Sequence, residues 1–89
     1  MRAVITVVGK DMVGIIAEVT AIMRSHDINI LDITQSILDD LFVMVMLTDI
    51  SKSKVEFTTF ASELTTLGDQ MGLKIHVMHE DVFNSMHRI

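Results

Sequence analysis

Two strand-length runs of this sequence, Ala3 to Val8 and Leu41 to Leu47, are apolar on both alternating positions, so each has to be covered on both faces. A chain of 89 residues has few ways to do that. The two runs must lie centrally in one sheet, with wetter strands at its edges and apolar cover above and below. In the first strand, Arg2 to Val8, Ala3, Ile5 and Val7 share one side and Val4 and Val8 the other. The second, Leu41-Phe42-Val43-Met44-Val45-Met46-Leu47, has no polar residue.

The remaining elements follow from periodicity. Met12, Ile15, Ile16, Val19, Ile22 and Met23 recur at helical spacing, which predicts a helix from Asp11 or Met12 to Ser25 with Asp11 as its N-cap. From Asn29 to Leu38, Leu31, Ile33 and Ile37 alternate with Asp32, Thr34 and Ser36, as in an edge strand with one wet face. Asp39-Asp40 reads as a hairpin turn. Ser53-Lys54-Val55-Glu56 fits a capping box ahead of a second helix with the stripe Phe57, Phe60, Ala61, Leu64, Leu67 and Met71, ending at Gly72 rather than Gly68. Leu73 to His79 alternates again and predicts a second edge strand. Glu80 and Asp81 open a short terminal helix, about 80–88, with Val82, Phe83 and Met86 at helical spacing and His87 and Arg88 at its end, as the helix dipole favours.

The resulting order is βαββαβ plus a terminal helix, read as one domain over 1–89 with its core in 1–79. The doubly apolar strands are the first and third, which are the central pair of a ferredoxin-like α+β sandwich. That fold is a four-stranded antiparallel sheet of order 2-3-1-4 with two helices on one face. Strands one and three then carry apolar side chains on the face the helices do not reach. Either the terminal helix or a second copy must cover them. A hydrophobic fraction of 49% and a mean hydropathy of +0.47 are high for so short a chain, and they point to a homo-oligomer, most simply a dimer.

Several functions are disfavoured by what the sequence lacks. With no cysteine there is neither a disulfide framework nor thiolate metal binding. No apolar run approaches the roughly 20 residues of a membrane span, and the N-terminus does not resemble a signal peptide, so the expectation is a cytoplasmic protein without membrane contact. A net charge of −5 with seven scattered Lys and Arg argues against nucleic acid, and with no Tyr or Trp only Phe42 could stack a base from a central strand. Gly9 and Gly14 have Walker-like spacing, but Ile15-Ile16 stands where Lys-Ser/Thr would be needed, and no GxG occurs. His76 and His79, three apart on a strand, point to opposite faces, and His26 and His87 have no partner at ligand spacing; no metal or other cofactor is expected. No catalytic constellation can be assembled, so an enzyme is not expected either. Met44 and Met46 share a strand face and suit an adaptable oligomer contact slightly better than plain core.

The segment Gly9-Lys10-Asp11-Met12-Val13-Gly14-Ile15 joins the first strand to the first helix, and backbone N–H groups at that helix start are free to meet an anion. Asp11 can receive an ammonium, and Asn29, beside Ile30 at the start of the second strand, offers both a donor and an acceptor. Together these residues suit a zwitterion. The stretch from Ile5 through Ile15, followed by Asn29-Ile30, resembles the ACT-domain family over nearly the whole chain. The Gly-Lys-Asp loop, Asp32-Ile33-Thr34-Gln35-Ser36, the Asp39-Asp40 hairpin and the terminal helix are similar to the small stand-alone ACT proteins, with a more distant likeness to glycine-cleavage transcriptional regulators. Members often have glycine where Asp27 stands, at a site that tends to need a left-handed residue. The resemblance implies regulatory binding of an amino acid or similar metabolite, usually between two such domains. Gly9, Lys10, Asp11, Met12, Val13, Gly14, Ile15, Asn29 and Ile30 would be the ligand-binding residues, and a regulatory protein is a possible partner. The other reading is an assembly module for a regulator or enzyme, without a functional ligand site.

Overall fold

Residues 1–10 and 14–86 are described by the computed structural model, and the two doubly apolar runs lie side by side at the centre of its sheet. The elements are β1 (Arg2–Gly9), α1 (Ile15–Ser25), β2 (Asn29–Leu38), β3 (Leu41–Asp49), α2 (Phe57–Met71), β4 (Lys74–His79) and α3 (Glu80–Met86). The sheet is antiparallel with order β2-β3-β1-β4, so β2 and β4 are its edges, as their alternation predicts.

Register fixes which side chains share a face. Ile5 sits opposite Met46 and Val77, and Val7 opposite Met44 and Ile75, so these residues point to the helix side. There they meet Ile15, Val19 and Met23 of α1 and Phe60 and Leu64 of α2 in the main core. Met44 and Met46 are both fully buried in it, which makes them core filler rather than an oligomer contact. Thr48, the buried polar residue, donates its hydroxyl proton to the Ala3 carbonyl at 3.0 Å.

The opposite face is covered only in part. Val4 points away from the helices and lies outside the main core, yet it is 3% exposed. The terminal helix α3 packs on β1 and β4 and is the element placed to cover it. Glu80, at the start of α3, accepts a hydrogen bond from Arg2 across the sheet end. Val43, Val45 and Leu47 on the same face of β3 stay half-buried.

Two predicted helix starts are corrected. Gly14 has φ 80, a left-handed conformation that cannot continue a right-handed helix, so α1 begins at Ile15 and Gly14 takes the N-cap position assigned to Asp11. Asp11, Met12 and Val13 lie outside the described residues, as does His87. The capping box does not form either. Ser53 turns back on Val55, donating to its carbonyl at 2.9 Å and accepting its N–H at 3.3 Å, and α2 starts only at Phe57 with no side-chain cap. The far ends agree with expectation. Gly72 closes α2. After α1 the N–H groups of Ile28 and Asp27 return to the carbonyls of Met23 and Arg24, the double closure of a Schellman turn, with Asp27 at φ 56 in the place glycine usually takes.

Strand β2 differs from its sequence reading in one respect. Its apolar alternation suggests one dry face, but Ile37 is 76% exposed and Leu31 and Ile33 are also open to solvent. Only the start of β2 meets α1, where Ile30 packs against the core, and from Leu31 onward the strand projects beyond the helices' cover. A register shift between Ile30 and Asp32 leaves Leu31 as an extra residue opposite β3.

Candidate functional site

The predicted ligand residues fall into two groups at opposite ends of the sheet. Gly9 pairs with Phe42 at one end, whereas Arg2 and Asn29 both pair with Asp49 at the other. Seven residue steps of strand separate these levels, roughly 23 Å. Gly9, Lys10, Gly14 and Ile15 therefore form one cluster and Asn29 and Ile30 another, and a single chain does not bring them together.

The glycine-loop cluster lies against the β2–β3 hairpin, where the Lys10 ammonium stands 3.5 Å from the Asp40 carboxylate. Both side chains are well exposed, so the pair positions the loop more than it stabilises the fold. Gly9 is glycine for a packing reason: a Cβ there would overlap the Leu73 side chain. Gly14 is glycine for its backbone conformation, since nothing lies within 4 Å of where its Cβ would be. The Gly14 carbonyl accepts the Glu18 N–H at 3.0 Å, and the N–H groups of Ile15 and the two residues after it have no carbonyl of their own helix to bond. Ile15's side chain is fully buried, so only its main chain can meet a ligand.

At the other end, Asn29 opens onto a broad groove of about 1270 Å³ between the last turns of α1 and the loop after β3. Thr20, Arg24, Asp27, Asp49 and Lys52 also line it. Ile30 lines it too, half-buried against the core. Asp27 is committed to Lys54 at 3.3 Å, and the Lys54 N–H donates to the His26 carbonyl, which ties the loop after β3 to the end of α1. Asp49 accepts both the N–H and the hydroxyl of Ser51, at 2.9 and 2.6 Å, and these bonds hold its carboxyl below the usual range. Sequence reading named Asn29 and Ile30 but passed over Arg24, Asp27, Asp49 and Lys52. The signal that finds them is topological: the end of α1, the start of β2 and the end of β3 must share one end of this fold.

The histidines separate as their spacing predicts. His79 stacks on Phe57 with ring centroids 4.0 Å apart, His76 stands on the opposite face across from Thr6, and His26 Nε2 lies 2.7 Å from a Glu63 carboxylate oxygen. Among the described residues no group of three His, Cys, Asp or Glu is placed to hold a metal ion, and no helix is long and apolar enough to cross a membrane.

Comparison with known proteins decides the family. The ACT-domain family model matches residues 2–78. The chain belongs to the ACT-domain family. A UPF0237 protein of Methanocaldococcus jannaschii is 47% identical over 88 residues, covering 99% of this chain and 98% of that protein. This ACT chain and that relative therefore match over almost their whole lengths. An ACT domain protein from Streptococcus pneumoniae has a similar structure, with a TM-score of 0.80 at 37% identity and 93% coverage of both chains. A putative glycine cleavage system transcriptional repressor aligns with a TM-score of 0.67 at 29% identity, over 85% of this chain and 43% of that one. As an ACT domain, the protein is a regulatory ligand-binding module.

Proposed function

We propose that this ACT domain senses an amino acid or similar zwitterionic metabolite in a site completed between two copies of the chain. The observation that carries this reading is the separation of the loop cluster from Asn29 along the exposed β2 edge. If two β2 strands pair antiparallel about a two-fold axis, the start of one lies beside the end of the other. Asn29 of the second copy then arrives next to the hairpin against which the first copy's glycine loop lies. Main-chain N–H groups at the start of α1 would take the carboxylate, while Asn29 and Asp11 would take the ammonium. The same pairing covers Ile33 and Ile37, which the helices leave bare. The bound state would pass to a partner through the geometry of the dimer.

Thermal shift against the proteinogenic amino acids tests the ligand reading, since a ligand at about 100 times its Kd stabilises the folded state by about 2.7 kcal/mol. The interface is tested with Ile37→Lys: a folded, monomeric variant that has lost binding supports a shared site, and undiminished binding by a monomer rules one out. Flat melts for every amino acid, with oligomerisation intact, would leave an assembly module as the better account.

A further inference from the structure

We infer that the groove at the end of α1 selects a ligand with a second acidic group, namely an amino acid whose side chain is itself anionic. The inference rests on the proposed amino-acid site, because Asn29 lines the groove and would hold one end of the ligand there. Three cations of the described chain are engaged with carboxylates: Arg2 with Glu80, Lys10 with Asp40 and Lys54 with Asp27. Of the other three described cations, Arg24, Lys52 and Lys74, none has an ion pair among the described residues, and Arg24 and Lys52 both line this one groove, whereas Lys74 stands on the far edge strand. Lys52 acts on Asp49 only weakly, as the last of the causes that lower its carboxyl.

Of the groove's two carboxylates, Asp27 is paired with Lys54, while Asp49 is hydrogen-bonded by Ser51 and keeps its charge; against that one charge the groove presents two cations without an ion pair. On a chain with a net charge of −5, two cations without an ion pair beside one broad groove favour an anion there. Arg24 projects from the last turn of α1 and Lys52 from the loop after β3, so a carboxylate or phosphate entering past Asn29 meets a charge from each wall. Guanidinium and ammonium donors to such a group form charge-assisted hydrogen bonds, which a neutral amide of the same shape cannot match.

The test compares isosteres on the intact protein by calorimetry: L-glutamate against L-glutamine, L-aspartate against L-asparagine, and O-phosphoserine against serine. The acids should bind on the order of tenfold more tightly, an advantage that falls with salt, is lost in Arg24→Gln and Lys52→Gln, and is largely kept in Arg24→Lys. Equal affinity for acid and amide, unchanged by Arg24→Gln, would overturn the inference and leave the amino-acid reading standing. If glutarate bound as well as glutamate and depended on Arg24, the groove would take a diacid and the amino-acid reading would fail instead. If none of these probes bound, the inference would fall, and a looser dimer in Arg24→Gln and Lys52→Gln would assign the two cations to the acidic Asp39-Asp40 hairpin of the second copy.

Discussion

The two edges of the sheet are built in opposite ways. Strand β4 has six residues, buries Ile75 beneath α2, turns Lys74 and His76 outward, and runs straight into α3, which folds back over its end. These are the usual means by which an edge is kept from pairing with another chain. Strand β2 has ten residues and exposes Ile33, Ile37 and Leu38, with Asp32 as its one charge. It is entered and left through aspartates in left-handed conformations, Asp27 at φ 56 and Asp39 at φ 58, so its ends are sharply defined while its length stays open. One edge is finished within the chain, and the other is left for something to pair with.

The largest effect expected from this contrast separates two isoleucines. Ile75→Ala removes a core side chain and should cost about 2–5 kcal/mol in urea unfolding, whereas Ile37→Ala should change a dilute monomer by no more than about 0.5 kcal/mol. Equal losses at the two positions would mean that β2 is covered within the chain, and the contrast would collapse. Next in size is association. Ile37→Lys should weaken self-association by about tenfold or more in sedimentation equilibrium, while His76→Lys on the other edge should leave it unchanged.

Much of this contrast is legible in the sequence, because alternation along Asn29–Leu38 and Leu73–His79 marks both strands as edges, and the doubly apolar runs fix the centre. What alternation cannot report is whose surface covers the apolar side. Leu31, Ile33 and Ile37 read the same whether their cover is a helix of the same chain or a second copy. The start of α1 is hidden for a similar reason: Met12 fits the helical stripe, and only the left-handed Gly14 shows that the helix begins after it. Ser53 and Glu56 have capping-box spacing, but the hydroxyl finds Val55 first and the helix starts one residue past Glu56. The division of the candidate site was available from topology alone. β1 and β2 both run antiparallel to β3 and hence parallel to each other, so the end of one and the start of the other lie at opposite ends of the sheet.

A smaller effect is expected at the one charge on the open edge. Asp32 accepts the Ile33 N–H at 2.9 Å beside the bulge, withholding that donor from any incoming strand. Asp32→Ala should release it and remove a charge from the edge, tightening self-association by a few-fold in the same sedimentation assay. Weaker association would show that the bulge shapes the contact instead of limiting it.

The smallest effect belongs to the closed edge and its α3 clasp. The hydrogen bond from Arg2 holds the Glu80 carboxyl below its ordinary value of 4.5. A carboxyl lowered by folding contributes stability that is present above its unfolded pKa and is lost as the pH falls through the lower folded value. Arg2 is exposed and Glu80 half-buried at the surface, so the contribution is slight and screened by salt. The readout should therefore be local: hydrogen exchange over 80–86 should quicken as the pH is taken below about 4.5, after correction for intrinsic rates, while exchange in β3 does not. Glu80→Gln should show the faster exchange already at neutral pH and lose its pH dependence there. If β2 and β4 loosened together in that variant, α3 would be supporting the whole sheet, and the closed edge would owe its protection to the core rather than to the clasp.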